Sequence, residues 1–116
     1  EVLDEQIFSV HGSACLVSGL DIAGISVACR IKPLEVCRSA EAIDLHNALV
    51  LESRLATLFE RGLISFADDG MVKVSSRLAT KDAERLGLRT GSRLRVEPTT
   101  TMQSYLGYHR ANVFIR

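Results

Sequence analysis

The chain has 116 residues, the length of a single domain, with 47% hydrophobic and 24% charged residues and a formal net charge of zero. This composition excludes a wholly disordered chain, a collagen-like chain and a coiled-coil rod. No apolar run approaches the roughly 18 residues that a membrane span requires. The acidic N-terminus lacks the basic and apolar regions of a signal peptide.

The first half of the chain predicts strands separated by an irregular segment. The apolar run at 15–19 ends at a glycine and predicts a short strand and turn. Residues 24–31 have apolar side chains at nearly every second position, which predicts a strand that Pro33 terminates. A loop or short helix is expected over 34–46. The apolar run at 48–51 fits either a buried strand or the start of a helix, because periodicity cannot separate the two.

A helix is predicted directly after that run. Ser53 is a good N-cap residue, and Leu55, Leu58 and Phe59 fall on one helical face. Gly62 is suited to the position after the last helical residue, where a left-handed backbone conformation is common.

The second half predicts a hairpin followed by two helices. Short strands at 63–66 and 71–74 flank an Asp-Gly sequence that favours a tight turn. Helices are expected over 81–86 and 101–114. Together these elements predict a small α+β domain.

Domain organisation and cysteine use are simple. We predict that residues 13–116 form the domain and that residues 1–12 are a lead-in, which could be the end of a longer chain because no initiator Met is present. The three cysteines are odd in number and contain no C-x-x-C pair, which favours small buried thiols in a reducing compartment. A cytoplasmic location is therefore expected.

The charge is divided unevenly along the chain. Residues 1–70 hold 5 basic and 11 acidic residues, a balance of −6, whereas residues 71–116 hold 9 basic and 3 acidic residues, a balance of +6. Such a chain could present one basic face to a polyanion. Alternatively, the two halves could pair their charges with each other, which would leave no basic face.

Six segments occur in a specific order. They read C-L-V-S-G at 15–19, A-C-R-I-K-P at 28–33, D-L-H-N-A-L-V-L at 44–51, A-T-L-F-E-R-G-L-I-S-F at 56–66, D-G at 69–70 and Y-L-G-Y-H-R-A-N-V-F at 105–114. In order and spacing they resemble the HNH endonuclease domain of bacterial restriction-like proteins, and the resemblance covers residues 13–116. It implies a ββα-metal (His-Me finger) core with an added β-hairpin and C-terminal helices.

The resemblance also implies a site and exposes two departures from it. The family is a metal-dependent DNA endonuclease, in which a His acts as general base, an Asn braces the site and a His or Asp on the helix holds a divalent metal such as Mg²⁺. Here Arg30 stands at the position of the base, Asn47 at that of the Asn, and Ala56 at that of the helix ligand. A guanidinium stays protonated and repels a cation, and a methyl group ligates nothing. We therefore predict no metal cofactor and no cleavage by the family mechanism.

The same positions predict DNA binding. An arginine in a former phosphate cleft keeps binding while removing chemistry. The expected partner is double-stranded DNA, and no membrane contact is expected. The residues expected to contact DNA are Arg30, Lys32, Lys73, Arg77, Arg89, Arg93 and Arg95. His109, in the C-terminal motif, is expected to have a structural hydrogen-bonding role.

Several alternatives remain open at this stage. The chain could be an inactive variant of a restriction or defence nuclease, which Ala56 fits better than Arg30 does. It could be a protein-interaction or dimerisation module, and a homodimer or an additional N-terminal domain would agree with that role. It could also be an enzyme with a rearranged ligand set of Asp44, His46 and Glu60. A soft-metal role for Cys29 is the least favoured hypothesis.

Overall fold

The computed structural model describes residues 2–116 as helices and two separate small sheets. In chain order the elements are α1 (Val2–His11), β1 (Ser26–Arg30), a short 3-10 turn (Leu34–Val36), α2 (Ser39–Ala42), β2 (Ala48–Glu52), α3 (Ser53–Glu60), β3 (Ile64–Phe66), β4 (Val72–Val74), α4 (Thr80–Arg85) and α5 (Thr100–Asn112). The α+β class is confirmed. No helix within 2–116 is long and apolar enough to cross a bilayer.

The first sheet and the helix after it form one unit. Strands β1 and β2 pair antiparallel, with Ser26 opposite Glu52 and Arg30 opposite Ala48. Helix α3 begins immediately after β2 and packs against both strands. We call β1, β2 and α3 the strand–strand–helix unit. Its identity as a ββα-metal core remains a prediction.

Strand β2 is buried along its whole length because both faces of the sheet are covered. Leu49 and Leu51 pack into the main apolar cluster with Phe59 of α3, whereas Ala48 and Val50 pack with Ile7 of α1. A strand with two covered faces is apolar at successive positions and does not alternate. This explains why the 48–51 run was ambiguous in the sequence and shows that it is a strand.

The N-terminal segment contributes to this packing. Helix α1 lies against β1 and β2, and Ile7 is only 3% exposed. The residues predicted as a lead-in therefore form a packed helix, although Glu1 lies outside the described residues.

The strand predicted at 15–19 is wrong. Residues 16–18 form a turn, because the Gly19 N–H donates to the Cys15 carbonyl at 2.9 Å. Leu16 donates one backbone hydrogen bond to Val50, at 2.9 Å, and no ladder follows from it. Cys15 and Leu16 of this apolar run are thus buried at a turn and are not part of a strand.

The remaining predicted elements are present, with shifted boundaries. The N-cap of α3 is Glu52 and not Ser53, while Gly62 has the expected left-handed backbone with φ of 78°. Strands β3 and β4 pair antiparallel with Ser65 opposite Lys73. Helix α5 begins at the cap Thr99, whose hydroxyl accepts the Met102 N–H.

Candidate nucleic-acid interface

A cavity of about 410 Å³ lies beside the end of β1. Its walls come from β1, the segment that follows it, the end of α3 and the end of α5. The lining residues are Ala28, Cys29, Arg30, Ile31, Pro33, Leu34, Glu35, Glu60, His109 and Val113. The cavity therefore brings the predicted phosphate ligand of β1 next to two further sequence-predicted residues, Glu60 and His109. We call it the Arg30 cavity.

Arg30 keeps its charge available. It is half-buried, its backbone pairs with Ala48, and its guanidinium forms no hydrogen bond or ion pair with any residue in 2–116. Glu35 and Glu60 also line the cavity but are exposed to solvent, so water screens their charges. A planar guanidinium with free N–H groups can bind two oxygens of one phosphate.

Asn47 braces the chain where it leaves β1. Its side-chain oxygen accepts the Lys32 N–H at 2.7 Å, and its side-chain nitrogen donates to the carbonyls of Lys32 and Glu41 at 3.2 and 3.4 Å. Asn47 is 1% exposed. Its polar atoms are therefore engaged within the chain, and its role is to position the backbone beside Arg30.

Ala56 lies inside the apolar core. It is 3% exposed and shares the main buried cluster with Cys29, Leu49 and Phe59. The helix position that the resemblance assigns to a metal ligand is thus buried here and offers no polar side-chain atom. The structure brings Arg30 and Asn47 to neighbouring points of the β1–β2 pair, whereas Ala56 lies in the apolar core.

The residues present do not fit a divalent metal. No group of three or more His, Cys, Asp or Glu side chains that could hold one occurs within the described part of the chain. The rearranged set of Asp44, His46 and Glu60 is consequently not gathered into a site. The donor chemistry at the expected position is a cation and a methyl group, neither of which binds Mg²⁺.

Asp44 has a structural task that explains why it does not act as a ligand. Burial alone would raise its pKa, but hydrogen bonds from the Tyr105 hydroxyl at 2.7 Å and the His46 N–H at 2.9 Å outweigh burial, and the pKa is lowered. Burial and the same carboxylate raise the pKa of Tyr105. The pair ties the segment before β2 to α5.

His109 is held on both ring nitrogens. The ring stacks on Phe59 with centroids 3.9 Å apart. Its Nε2 lies 2.8 Å from the Phe59 carbonyl and its Nδ1 lies 2.7 Å from the Ser65 hydroxyl. Because the carbonyl can only accept, Nε2 carries a proton. Burial lowers the pKa of His109, so the ring is neutral and its Nδ1 accepts a hydrogen bond from the Ser65 hydroxyl. This agrees with the structural role that the sequence suggests.

The three cysteines are free thiols. Cys15 and Cys29 are buried and Cys37 is half-buried. Burial is the largest of several effects that raise the pKa of Cys29. Cys29 lies in the main buried cluster and its thiol donates to the Leu49 carbonyl at 3.5 Å, so it is a core side chain. Its soft-metal role stays a hypothesis.

The residues predicted to contact DNA are not all equally available. The Lys32 ammonium lies 2.9 and 3.0 Å from the two Glu41 carboxylate oxygens and 5.1 Å from the Tyr108 ring centre, so it is already engaged. Arg93 donates to the Asp69 carbonyl at 2.7 Å and Arg95 to the Ser18 carbonyl at 3.3 Å. These two arginines are anchored but keep their charge.

The remaining predicted contacts are exposed, and two of them, Lys73 and Arg89, line separate depressions. Arg77 and Arg89 are exposed, and Arg89 lines a depression beside α4. Lys73 lines a groove beside β4. Arg110 and Arg116, which are outside the predicted set, line the same groove as Lys73. The available signal was the +6 balance of the second half, which does not identify individual residues.

Charge pairing between the two halves of the chain is scarce. The second half contains nine basic residues. Within 2–116, Arg110 is the one among them whose side chain forms an ion pair, with Asp68 at 2.8 Å. The other ion pairs of the described residues, Lys32 with Glu41 and Arg54 with Glu52, lie within the first half. The cationic excess of the second half is therefore left facing solvent.

Comparison with known proteins gives a likeness to solved structures. No protein-family model matches the chain, and no curated protein matches it. Among solved structures, the modification-dependent TagI restriction endonuclease is similar over 97% of this chain, with a TM-score of 0.63 and 22% sequence identity. The chain spans 37% of the length of that protein. At this identity the likeness concerns the fold alone, and the chain shares its fold with part of that protein.

Proposed function

We propose that this chain is a domain with an HNH endonuclease fold that binds the backbone of double-stranded DNA and does not hydrolyse it. The observation that carries the proposal is the unpaired cationic excess of the second half. Basic side chains that find no acidic partner within the chain remain available to a polyanion. The likeness to a restriction endonuclease makes DNA a plausible polyanion for this fold.

Arg30 supports the proposal at the residue level. Its guanidinium has no partner within 2–116 and lines a cavity wide enough to admit a phosphate. The backbone beside it is held by three hydrogen bonds of Asn47 to Lys32 and Glu41. The guanidinium itself is unpaired, so it breaks no bond within 2–116 when it contacts a phosphate. Such contacts position DNA without reading its sequence.

The absence of catalysis in this proposal follows from the same residues. Attack on a phosphodiester needs a base that can accept a proton from water near neutral pH, and a guanidinium cannot. The one cavity-lining histidine, His109, uses both ring nitrogens within the core. The donor set does not fit a metal, so no step is assigned to one.

Titration of a labelled duplex at several salt concentrations tests the binding. We expect dissociation constants of about 10⁻⁴ to 10⁻⁶ M at physiological salt, with affinity falling steeply as salt rises. Arg30→Ala should reduce the slope of log affinity against log salt by about 0.9, the share of one phosphate contact. Arg85→Ala, which removes an exposed arginine of α4 outside the predicted set, is the charge-matched control. Absence of binding at low salt would overturn the proposal.

A plasmid-nicking assay tests the catalytic half. The chain should leave supercoiled plasmid intact with Mg²⁺ or Mn²⁺ under conditions where a metal-dependent nuclease cuts. Cleavage that a chelator abolishes would show that the protein is an enzyme with another ligand set, and the binding assay would still stand.

A protein-interaction module is the second candidate because of an exposed apolar segment between β1 and β2. Leu34, Val36 and Ile43 are 52%, 47% and 71% exposed. Exposed apolar side chains in one segment are typical of protein contacts. Sedimentation analysis of the chain and of its Ile43→Glu variant tests for a homodimer. A concentration-dependent dimer that the variant abolishes, together with no DNA binding, would favour this candidate.

A further inference from the structure

A groove of about 630 Å³ lies between β4 and the C-terminal end of α5. Three basic residues, two valines, a serine and a phenylalanine line it, and none of its lining residues is acidic. They are Val72, Lys73, Val74, Ser76, Arg110, Phe114 and Arg116. We call it the β4–α5 groove. Among the cavities described above it combines the most positive charge with the least negative charge.

Lys73 is directed to the α5 side of the hairpin. It lies opposite Ser65 in the β3–β4 pair, and directly opposite residues of an antiparallel pair point to the same face. The Ser65 hydroxyl contacts His109 of α5 at 2.7 Å. Lys73 is itself exposed and has no ion-pair partner within 2–116. Its ammonium therefore reaches the groove with its charge free.

Arg110 is fixed in the groove wall. Its two terminal nitrogens donate to the Phe66 carbonyl and to the Asp68 carboxylate, each at 2.8 Å. The Asp68 side chain is 61% exposed, so solvent screens the negative charge. The remaining N–H groups of the guanidinium are held in one orientation, which lowers the entropic cost of binding an anion.

The C-terminal segment closes the third side. Ile115 donates its N–H to the Gly62 carbonyl at 2.8 Å, and the Ser76 hydroxyl donates to the Arg116 oxygen at 3.0 Å. These bonds hold the backbone of Arg116 near the end of β4. The Arg116 side chain is exposed and unpaired within the described chain.

The groove and the Arg30 cavity share the last turn of α5 and the segment after it. His109 and Val113 line the Arg30 cavity, whereas Arg110 and Phe114 line the groove. Adjacent residues of one short segment thus form a wall of each depression. Two cation-bearing depressions that share this segment as a wall suit a ligand that carries regularly spaced negative charges.

We infer that the β4–α5 groove is a second backbone-phosphate contact for duplex DNA, formed by Lys73, Arg110 and Arg116 and acting together with Arg30. This inference rests on the proposed function and adds a location to it. The sequence predicts contacts at the scattered residues Arg77, Arg89, Arg93 and Arg95. The main contact inferred here is instead the β4–α5 groove, in which Arg110 and Arg116 are outside the predicted set.

A double variant tests the inference. Lys73→Ala with Arg116→Ala removes two exposed cations and leaves the structural bonds of Arg110 intact. We expect the salt-dependence slope for duplex binding to fall by about 1.8, the share of two phosphate contacts, with uniform weakening across DNA sequences. The matched control is Lys81→Ala with Arg85→Ala, which removes two exposed cations of α4. Equal thermal midpoints of the two double variants would show that both fold.

The outcomes separate the inference from the proposed function. If wild-type protein binds duplex, Arg30→Ala weakens binding and the groove variant matches its control, the groove is not a contact and the proposed function stands. If wild-type protein fails to bind duplex at low salt, both are overturned. If the groove variant alone loses slope, the groove is the contact and Arg30 is not. For one duplex held at two points, we expect both Arg30→Ala and the groove variant to reduce the salt-dependence slope. The two reductions should add in the triple variant that combines Arg30→Ala, Lys73→Ala and Arg116→Ala.

Discussion

The strand–strand–helix unit and the segment from β4 to the C-terminus use their polar residues in opposite ways. In the unit and its connecting loop, Asn47 is bonded to the backbone, Lys32 is paired with Glu41, and Glu52 binds Arg54. In the later segment, Lys73 and Arg77 are exposed without ion-pair partners. The first region thus contains two internal ion pairs, whereas Arg110 is the one basic residue of the second region that forms an ion pair within 2–116.

This difference shows where the chain leaves charge unpaired. In the strand–strand–helix unit, Arg30 is the one cation without an ion-pair partner within 2–116. Across residues 2–116 no buried side-chain polar atom lacks a hydrogen-bond partner. In the proposed function, anion binding lies mainly on the other region, and the following changes test that division.

The largest effect is expected where the two regions meet. Phe59 of α3 is fully buried, stacks on His109 of α5 and lies 5.5 Å from the Phe66 ring centre. Phe59→Ala should lower the free energy of unfolding by about 3–5 kcal/mol, since it leaves a cavity and removes ring contacts. Val74→Ala, at a 41% exposed position, should change it by less than about 0.5 kcal/mol. Denaturant unfolding measures both, and similar small losses would show that α3 and α5 are only loosely joined.

The next effect concerns the glycine that lets the C-terminal segment approach α3. Gly62 has φ of 78°, and a Cβ there would collide with the Val113 carbonyl oxygen. Gly87 has φ of 83° with open space around it, so a substitution there measures the cost of the left-handed backbone without any collision. Gly87→Ala should cost about 1–2 kcal/mol, and Gly62→Ala should cost more. Equal losses in thermal or denaturant unfolding would mean that the segment shifts away freely.

A smaller loss is expected within the unit's connecting loop. Asn47→Ala would leave the part-buried Lys32 N–H without its 2.7 Å acceptor and remove the three hydrogen bonds that the Asn47 side-chain nitrogen donates. The loss should be about 1–3 kcal/mol, the cost of a buried unsatisfied group. Asn112→Ala removes an exposed bond to the Tyr108 carbonyl and is the control. If both variants unfold alike, Asn47 does not brace the loop.

The sequence predicts the elements whose signals are local. Gly62 ends α3 and the Asp-Gly pair turns the β3–β4 hairpin because backbone conformation at those points depends on the residue itself. The strand at 15–19 fails because an apolar run records burial, and the turn is decided by a hydrogen bond within the loop. Contacts between residues far apart in the sequence are not predicted either, because they depend on how the elements pack against one another.

The candidate site shows the same division. The motifs mark Arg30 and Ala56 as departures from the family that the chain resembles, and the site role expected of Asn47 stays a prediction. The engagement of Lys32 by Glu41, and the convergence of Lys73, Arg110 and Arg116 on one groove, depend on how α5 docks on the hairpin. Sequence spacing of 37 residues between Lys73 and Arg110 carries no such information.

The smallest predicted effect is a pH dependence that links the two regions through His109. Burial lowers the pKa of His109 below its ordinary 6.5, so the unfolded chain binds a proton more readily than the folded one. Stability from this group is then complete above about pH 6.5 and declines as the pH falls toward the folded-state pKa. Between pH 7.5 and pH 5.5 the free energy of unfolding should decrease in wild-type protein and in His46→Gln, which is an exposed control. The decrease should be smaller in His109→Gln. An equal decrease in all three would mean that protonation of His109 does not oppose the stacking of its ring between α3 and β3.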